Sequence, residues 1–189
     1  MRAAAALVAA LALCGPGVVW ADAGPGHEGV RVEVLADPGG ASGLIRGSVE
    51  IDAPPEAVWK VMVDCDLAPR MVRRLKSCRI LQSDPAGRWD VREHVSRAGL
   101  LPPVRSVFRS DYDPPRRIRF YREGGELKVL DGEWRLVPLD GGARTRVHYE
   151  SRASTPFAIP APIARMALRR DIPDALAALR REVMARTAR

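Results

Sequence analysis

The chain has 189 residues, the length of one domain or slightly more, and 47% hydrophobic with 28% charged residues is an ordinary globular mixture. This composition excludes a collagen, a coiled-coil rod and a wholly disordered chain. All but three of the 30 basic residues are arginine, and no basic block is interleaved with aromatic residues. The formal net charge of +7 therefore does not indicate a nucleic-acid partner, and none is expected.

The first 21 residues are organised like a secretory signal peptide. Arg2 precedes an apolar run from Ala3 to Leu13, and Gly15 to Gly17 then breaks any helix. Val19 and Ala21 are small residues at the −3 and −1 positions, so we expect cleavage after Ala21. The alternative is a retained membrane anchor, which needs about 20 helical residues. We expect export to the periplasm or beyond.

Two of the three cysteines, Cys65 and Cys78, remain after such cleavage. An even pair in an oxidising compartment favours a disulfide between them, whereas the alternative is two buried thiols. Three cysteines also exclude a dense disulfide scaffold and a four-ligand zinc site.

The N-terminal part of the mature chain alternates strand and helix patterns. Val32 and Val34 alternate with charged residues, and Leu44 to Ile51 alternates again, so both segments are predicted strands. Asp52 is expected to cap a helix that begins at Pro54 and stops near Asp64. A second short helix is predicted over Asp66 to Leu75.

The rest of the chain reads as strands followed by one long helix. The predicted strands share period-two or apolar-run character and are separated by Pro- and Gly-bearing turns at roughly ten-residue intervals, which predicts an antiparallel meander. They are Cys78–Gln82, Trp89–Ser96, Val104–Tyr112, Ile118–Arg122, Glu126–Leu130, Trp134–Leu139 and Arg144–Arg152. Apolar residues then recur every three or four positions from Leu168 to Val183, giving a helix that Pro173 should kink or restart, with Asp171 as its cap.

This order of elements predicts an α+β fold in which a curved antiparallel sheet wraps around the long C-terminal helix. Such a sheet is hard to fill with side chains and tends to leave a cavity for an apolar ligand. We expect an N-terminal extension over residues 22–42, the domain over residues 43–186 and a tail over residues 187–189.

Five segments in the same order resemble the START/polyketide-cyclase (SRPBCC, birch-pollen-allergen-like) superfamily, and the chain is most similar to its coenzyme-Q-binding-protein-like START domains. The segments are Val49–Trp59, Pro114–Ile118, Gly132–Pro138, Gly142–Tyr149 and Arg169–Arg180. The resemblance implies a helix-grip fold with a cavity of lipid or polyketide size. The superfamily has no universal catalytic set, so the resemblance implies a pocket and no particular mechanism.

The candidate cavity residues are aromatic and apolar side chains at alternating strand positions, together with one methionine of the long helix. They are Phe108, Tyr112, Phe120, Trp134, Leu136, Val147, Tyr149 and Met166. The same strand residues could equally be packed core. The placement of Met166 depends on a helix break near Asp171, since Met166 does not share the stripe of Leu168.

Leu100 and Leu101 form an apolar hairpin tip, either a portal lip that touches a membrane or a tip folded onto the helix end. The arginine-rich face of the long helix could meet anionic lipid headgroups or simply be solvated.

The sequence supports neither a metal site nor a catalytic constellation. Strand alternation puts Glu93 and His94 on opposite faces, and His148 shares its face with other charged side chains. There is no phosphate loop, nucleophile elbow or His-Glu-x-x-His helix, so no catalytic residue and no cofactor are assigned.

The leading hypothesis is binding or transport of a hydrophobic small molecule (lipid, quinone or polyketide-like) by a monomer in the cell envelope. The alternative is a cavity enzyme of the polyketide cyclase or dehydratase type, and a third interpretation is a protein-binding module whose cavity has collapsed.

Overall fold

The structure is a computed structural model that describes residues 27–37, 43–97, 99, 102–154 and 160–188. The signal-peptide prediction and the predicted lip at Leu100 and Leu101 lie outside these residues. The described residues form eight strands and three α-helices. In chain order they are β1 (Val30–Leu35), β2 (Gly43–Ile51), α1 (Pro55–Val63), α2 (Ala68–Met71), β3 (Leu75–Ser83), β4 (Trp89–Ser96), β5 (Val104–Asp113), β6 (Arg117–Gly125), β7 (Leu130–Leu139), β8 (Arg144–Ala153) and α3 (Ala161–Thr187).

The eight strands form one antiparallel sheet with the order β1-β2-β8-β7-β6-β5-β4-β3. From β3 to β8 each strand pairs with its neighbour in the chain, which confirms the predicted meander. β2 pairs with β8, so the last strand of the meander lies beside β2. α1 and α2 connect β2 to the far edge strand β3, which places two short helices across one opening of the curved sheet.

The long helix α3 packs against β1 and β2 and against both short helices. Close approach depends on Gly47 of β2, where an added Cβ would lie 2.9 Å from Cδ1 of the fully buried Leu176. The apolar stripe predicted for this helix is buried at Leu179 and Val183. The helix-grip arrangement of a curved sheet around a long C-terminal helix is thus confirmed.

A large part of the core lies where α1 and α3 cover β2, β7 and β8. It is a cluster of buried aliphatic side chains that includes Val49, Ile51, Val58, Val61, Leu136, Val147, Leu176, Leu179 and Val183. Thr145, also fully buried, donates its hydroxyl to the Ala53 carbonyl at 2.7 Å, so this polar group is satisfied. At this end the sheet is filled by side chains.

Some local predictions were wrong. α1 begins after Pro54 with no side-chain cap, and Asp52 instead forms an ion pair with Arg144. The predicted second helix over Asp66 to Leu75 shrinks to the four residues of α2, because Leu75 already pairs with β4.

The predicted strand over Glu126 to Leu130 is mostly a connection between β6 and β7. The Glu126 amide donates to the Arg105 carbonyl and the Val129 amide donates to the Ser154 hydroxyl, so this segment bonds to the ends of β5 and β8 instead of a ladder. The helix break expected near Asp171 is also absent, since α3 continues through Pro173.

Candidate functional site

A cavity of about 290 Å³ lies between the concave face of the sheet, α3 and the two short helices. This volume is at the lower end of the range for small-molecule sites. Its wall is mostly aromatic and aliphatic, with a polar group on one side. The lining residues are Met62, Ala68, Met71, Val72, Arg73, Arg74, Arg92, His94, Phe108, Ser110, Tyr112, Ile118, Phe120, Trp134, Tyr149, Asp171, Ile172, Ala175, Leu176 and Leu179.

Strands β5 to β8 supply an aromatic wall. Tyr149 of β8 lies between two neighbours, with ring centroids 4.2 Å from Trp134 and 6.3 Å from Phe120. Phe120 in turn meets Phe108 edge-on at 6.2 Å. Gly132 leaves room for this arrangement, because a Cβ there would lie 2.7 Å from Cζ of Phe120 and 2.2 Å from the backbone oxygen of Glu150. These contacts hold the rings in the edge-on and offset geometries that aromatic pairs prefer.

The Tyr149 hydroxyl, a polar group of the aromatic wall, has a hydrogen-bond partner within the protein. The Ser151 hydroxyl donates to the Tyr149 hydroxyl at 2.7 Å. Burial raises the pKa of Tyr149, so its phenol stays protonated at neutral pH.

Strand β4 contributes a buried ion pair to the opposite wall. Arg92 Nε donates to Asp90 Oδ1 at 2.9 Å, and Arg92 Nη2 contacts Asp90 Oδ2 and donates to the Val63 carbonyl at 3.3 Å. The Tyr112 hydroxyl accepts from Arg92 Nη2 at 2.7 Å and donates to Asp90 Oδ2 at 2.6 Å. Asp90, Arg92 and Tyr112 therefore form a closed network, which we call the β4–β5 polar triad.

The environment of the triad keeps its members in defined charge states. Burial lowers the pKa of Arg92, but its bonds and charge contacts with Asp90 and Tyr112 leave that pKa above the ordinary value. Burial, together with the Asp90 bond, raises the pKa of Tyr112. The guanidinium is thus charged and balanced by Asp90, and the phenol is protonated.

His94 is the next residue after Arg92 on the same face of β4. Its ring meets Phe108 edge-on, with centroids 4.8 Å apart and planes at 89°. Burial, and to a smaller extent the Arg92 charge, lowers the pKa of His94 to about 4, so the imidazole is neutral at pH 7. Nε2 of His94 is buried and has no hydrogen-bond partner among the described residues.

The short helices and α3 form the rim of the cavity. The turn between α1 and α2 is tied to β3 by the disulfide Cys65–Cys78, with Cα atoms 5.4 Å apart, so the structure contains the predicted bridge. Asp64 Oδ1 accepts from the amide of Asp66 at 2.9 Å, which shapes the same turn. At the rim, Arg74 Nε lies 3.4 Å from Asp171 Oδ2 of α3.

The structure brings five of the eight predicted cavity residues together. Phe108, Tyr112, Phe120, Trp134 and Tyr149 all line the cavity. Leu136 and Val147 do not line it, although they lie on the same strands as Trp134 and Tyr149. They fall under α1 and α3, where the sheet is covered and the core is close-packed.

The prediction for Met166 was wrong. Its side chain is 67% exposed and lies outside the cavity. The prediction required a break near Asp171 that would turn this part of the helix inward. Because α3 is continuous, Met166 and Ile163 share an outward face, and Ile163 is 52% exposed.

Sequence reasoning missed the polar half of the wall. Asp90 and Arg92 were assigned no role and His94 was weighed only as a metal ligand, because charged residues are rarely buried. The signal was their alternation along β4, which pairs with the aromatic face of β5 through Arg92 and Phe108. Arg73 and Arg74 at the rim carried no comparable signal.

Among the described residues, no group of three or more His, Cys, Asp or Glu side chains is placed to hold a metal ion. Within the same part of the chain, no helix combines the length and apolar character needed to span a bilayer.

A curved antiparallel sheet closed by a long helix over an apolar cavity defines the START/polyketide-cyclase class of folds. Residues 51–180 match the sequence profile of the family described as polyketide cyclase / dehydrase and lipid transport. The match covers more than half of the chain, and the chain belongs to this family. A comparison with curated proteins found no match.

Solved structures show the same fold. A STAR-related lipid transfer protein from Xanthomonas axonopodis superposes with a TM-score of 0.70 and 20% identity, over 83% of this chain and 94% of that one. Human STARD10 gives a TM-score of 0.69 and 14% identity, over 85% and 71%. The Zhui aromatase/cyclase from Streptomyces sp. R1128 gives 0.65 and 20%, over 76% and 94%.

Proposed function

We propose that the protein binds a hydrophobic small molecule in the cavity and carries it in the cell envelope. The observation that carries this proposal is the wall itself, in which stacked aromatic rings face aliphatic residues of α3 across an unfilled volume of about 290 Å³. Removing an apolar surface from water contributes about 25 cal/mol per Å². The structural similarity to a lipid transfer protein and to an aromatase/cyclase supports a lipid, quinone or polyketide-like compound as the ligand class.

Native mass spectrometry after incubation with a bacterial lipid extract tests the proposal. We expect one apolar molecule to be retained per chain. Ala175→Phe places a ring in the cavity and should abolish retention, whereas Ala185→Phe on the exposed face of the same helix should leave retention unchanged. Equal retention by the two variants would place the molecule elsewhere.

The predicted signal peptide and the disulfide support the cell envelope as the site of action. The N-terminal run has signal-peptide organisation, and a disulfide between Cys65 and Cys78 is typical of an oxidising compartment. Fractionation of cells that express the full chain should recover a protein shortened by 21 residues in the periplasm. A full-length protein in the cytoplasmic fraction would contradict export.

Contact with an anionic membrane surface would let the ligand enter and leave. Ile163 and Met166 are exposed on α3, and Arg165, Arg169 and Arg170 lie on the same helical segment. Basic residues near an anionic leaflet contribute about 1 kcal/mol each. Co-sedimentation with phosphatidylglycerol vesicles should fall when Ile163 and Met166 are both changed to Asp, and binding by that double variant equal to the parent would exclude this surface. We also expect a monomer, which light scattering can test.

A second candidate, a cyclase or dehydratase, is favoured by one observation. Arg92, His94 and Tyr112 lie together on one wall of the cavity, and ionisable groups with shifted pKa values gathered in a cavity are typical of active sites. Incubation with a short poly-β-ketone would show the loss of one water in its mass. No change in mass, with the compound still bound, would favour carriage.

A further inference from the structure

The charges around the cavity are distributed unevenly between its interior and its rim, and this distribution constrains the ligand. Inside, the charge of Arg92 is balanced by Asp90, and each of these side chains is only 7% exposed. The neutral His94 has an Nε2 with no hydrogen-bond partner among the described residues, but less than 1 Å² of this atom is exposed, so a ligand cannot reach it. Burying a charge without a partner is costly, so the part of a ligand that enters the cavity must be uncharged.

At the rim, Arg74 and Asp171 neutralise each other. Arg74 Nε lies 3.4 Å from Asp171 Oδ2. Asp171 Oδ1 is as buried as His94 Nε2 and also lacks a hydrogen-bond partner in the described part of the chain, so it too is closed to a ligand. The charge of Arg74 therefore balances a partly buried carboxylate, and the pair offers a ligand no net charge.

A basic depression adjoins the cavity at Arg73, which lines both. The depression is lined by His27, Arg73, Arg169, Arg170, Pro173 and Asp174. Three arginines and one aspartate give it a net charge of +2 when His27 is neutral. Asp174 Oδ1 lies 2.9 Å from His27 Nε2, so this carboxylate already has a partner.

The arginines of the basic depression have N–H groups free to bind an anion. Arg73 Nη1 lies 3.8 Å from Asp174 Oδ2, which is too far for a hydrogen bond. Arg169 makes one long bond, from Nη2 to the Val34 carbonyl at 3.5 Å. Arg170 has no hydrogen-bond or ion-pair partner among the residues that the structure describes. Guanidinium groups bind phosphate oxygens by strong, charge-assisted hydrogen bonds.

We propose that the protein binds single-chain or compact phosphate monoesters, with the apolar body in the cavity and the phosphate in the basic depression against Arg73, Arg169 and Arg170. A phosphate monoester carries a charge of about −1.5 to −2 at pH 7, which matches the charge of the depression. Outside the cavity the phosphate keeps its contact with water and avoids the cost of burial. This inference rests on the proposed function and deepens it, since it names the headgroup of the bound molecule.

Three decyl compounds that differ in their headgroup test the proposal on the purified, disulfide-bonded protein. The dissociation constants of decyl phosphate, 1-decanol and decyltrimethylammonium are measured by calorimetry at pH 7 and low salt, below the concentrations at which the compounds aggregate. We expect decyl phosphate to bind about tenfold more tightly than 1-decanol and the cation to bind weakest. High salt should reduce the preference for the phosphate, because exposed charges are screened.

A double variant assigns the preference to the basic depression. Arg73→Gln with Arg170→Gln should bind decyl phosphate and 1-decanol with nearly equal affinity and leave the affinity for 1-decanol unchanged. Both side chains are exposed, so their replacement should not unfold the protein. The matched control is Arg181→Gln with Arg186→Gln, which removes the same charge near the other end of α3 from residues that line neither the cavity nor the depression. It should keep the full preference.

Inorganic phosphate distinguishes an amphipathic ligand from a free anion. It has no apolar body, so it should displace decyl phosphate only at far higher concentration than decyl phosphate itself requires. If the two are equally effective, the depression is a site for free phosphate and the inference is wrong.

The remaining outcomes separate this inference from the proposed function. If the protein binds decyl phosphate and 1-decanol equally well, the cavity is a ligand site but its rim selects no phosphate, and the inference fails alone. A preference that survives in the Arg73 and Arg170 double variant has the same meaning. If the protein binds none of the three decyl compounds, the proposed function and the inference fail together.

Discussion

At the scale of single residues, Asp90 and Arg92 show how a charge is kept in the wall of an apolar cavity. Each of their side chains is only 7% exposed, and together with Tyr112 they satisfy one another by hydrogen bonds. A buried ion pair stabilises a fold weakly as a pair, but removing one partner leaves an uncompensated charge.

We therefore predict opposite effects for single and paired substitutions. Asp90→Asn should lower the free energy of unfolding by about 3 kcal/mol, because Arg92 stays charged and buried. The double variant Asp90→Leu with Arg92→Met should lose less than the single variant. Urea unfolding followed by circular dichroism measures both values. A double variant less stable than the single one would show that the pair itself stabilises the fold.

His94 gives the fold a dependence on pH. Its pKa is lowered to about 4 in the folded protein, below the ordinary value of 6.5. Between these values the unfolded state binds the proton and the folded state does not, so stability decreases as the pH falls. The lowering corresponds to about 3 kcal/mol, present above pH 6.5 and lost by about pH 4.

The measurement compares the parent with His94→Phe in urea at pH 7 and at pH 4.5. Carboxylates such as Glu93, whose pKa is lowered mainly by its hydrogen bond to Arg105, contribute to the acid loss in both proteins. We expect the parent to lose more stability on acidification than the variant. Equal losses would mean that His94 is protonated at similar pH in the folded and unfolded states.

At the scale of secondary-structure elements, the disulfide fixes the position of the short helices. Cys65 lies in the turn between α1 and α2, and Cys78 lies in β3, 13 positions further along the chain. α2 and the residues that follow it form the rim of the cavity. The bridge therefore connects the rim to the edge of the sheet.

Removing the bridge should destabilise the protein. Closure of a loop of this length contributes about 3 kcal/mol in the loop-entropy description. We expect Cys65→Ala with Cys78→Ala to unfold at lower urea concentration than the oxidised parent and at the same concentration as the parent treated with dithiothreitol. If reduction leaves the midpoint of the parent unchanged, the rim is held by packing alone.

How far the sequence predicts each element depends on what positions it. Period-two patterns located most strands because one face of each meets the core, as at Ile118 and Phe120 of β6. The pattern failed at Glu126 to Leu130, where the same alternation occurs in a connection whose backbone bonds go to the ends of β5 and β8. Local pattern does not report such distant bonds.

Of the candidate site, too, the sequence predicts one part and not the other. The aromatic wall was predictable because Phe120, Trp134 and Tyr149 alternate on their strands and the sheet is curved. Met166 was misplaced because Pro173 does not end the helix, and a proline's effect depends on packing around it. His94 was missed because its burial follows from pairing with β5 and not from its own neighbours in sequence.

At the scale of the whole molecule, side-chain packing differs between the two ends of the helix-grip fold. Where α1 and α3 cover β2, β7 and β8, aliphatic side chains close the core. Where the short helices span towards β3, the rings of β5 to β8 face Ile172 and Leu176 across open volume. One end thus supplies stability and leaves the other free to hold a ligand.

The central claim is that a small apolar molecule binds inside this open end. Intermolecular nuclear Overhauser effects between 2-naphthol and methyl-labelled protein test it most directly, because they locate the bound molecule. We predict contacts from the naphthol ring protons to the methyl groups of Ile118, Ile172, Leu176 and Leu179, which all line the cavity. Contacts confined to exposed methyl groups such as those of Ile163 and Met166, with none to the cavity, would contradict the account.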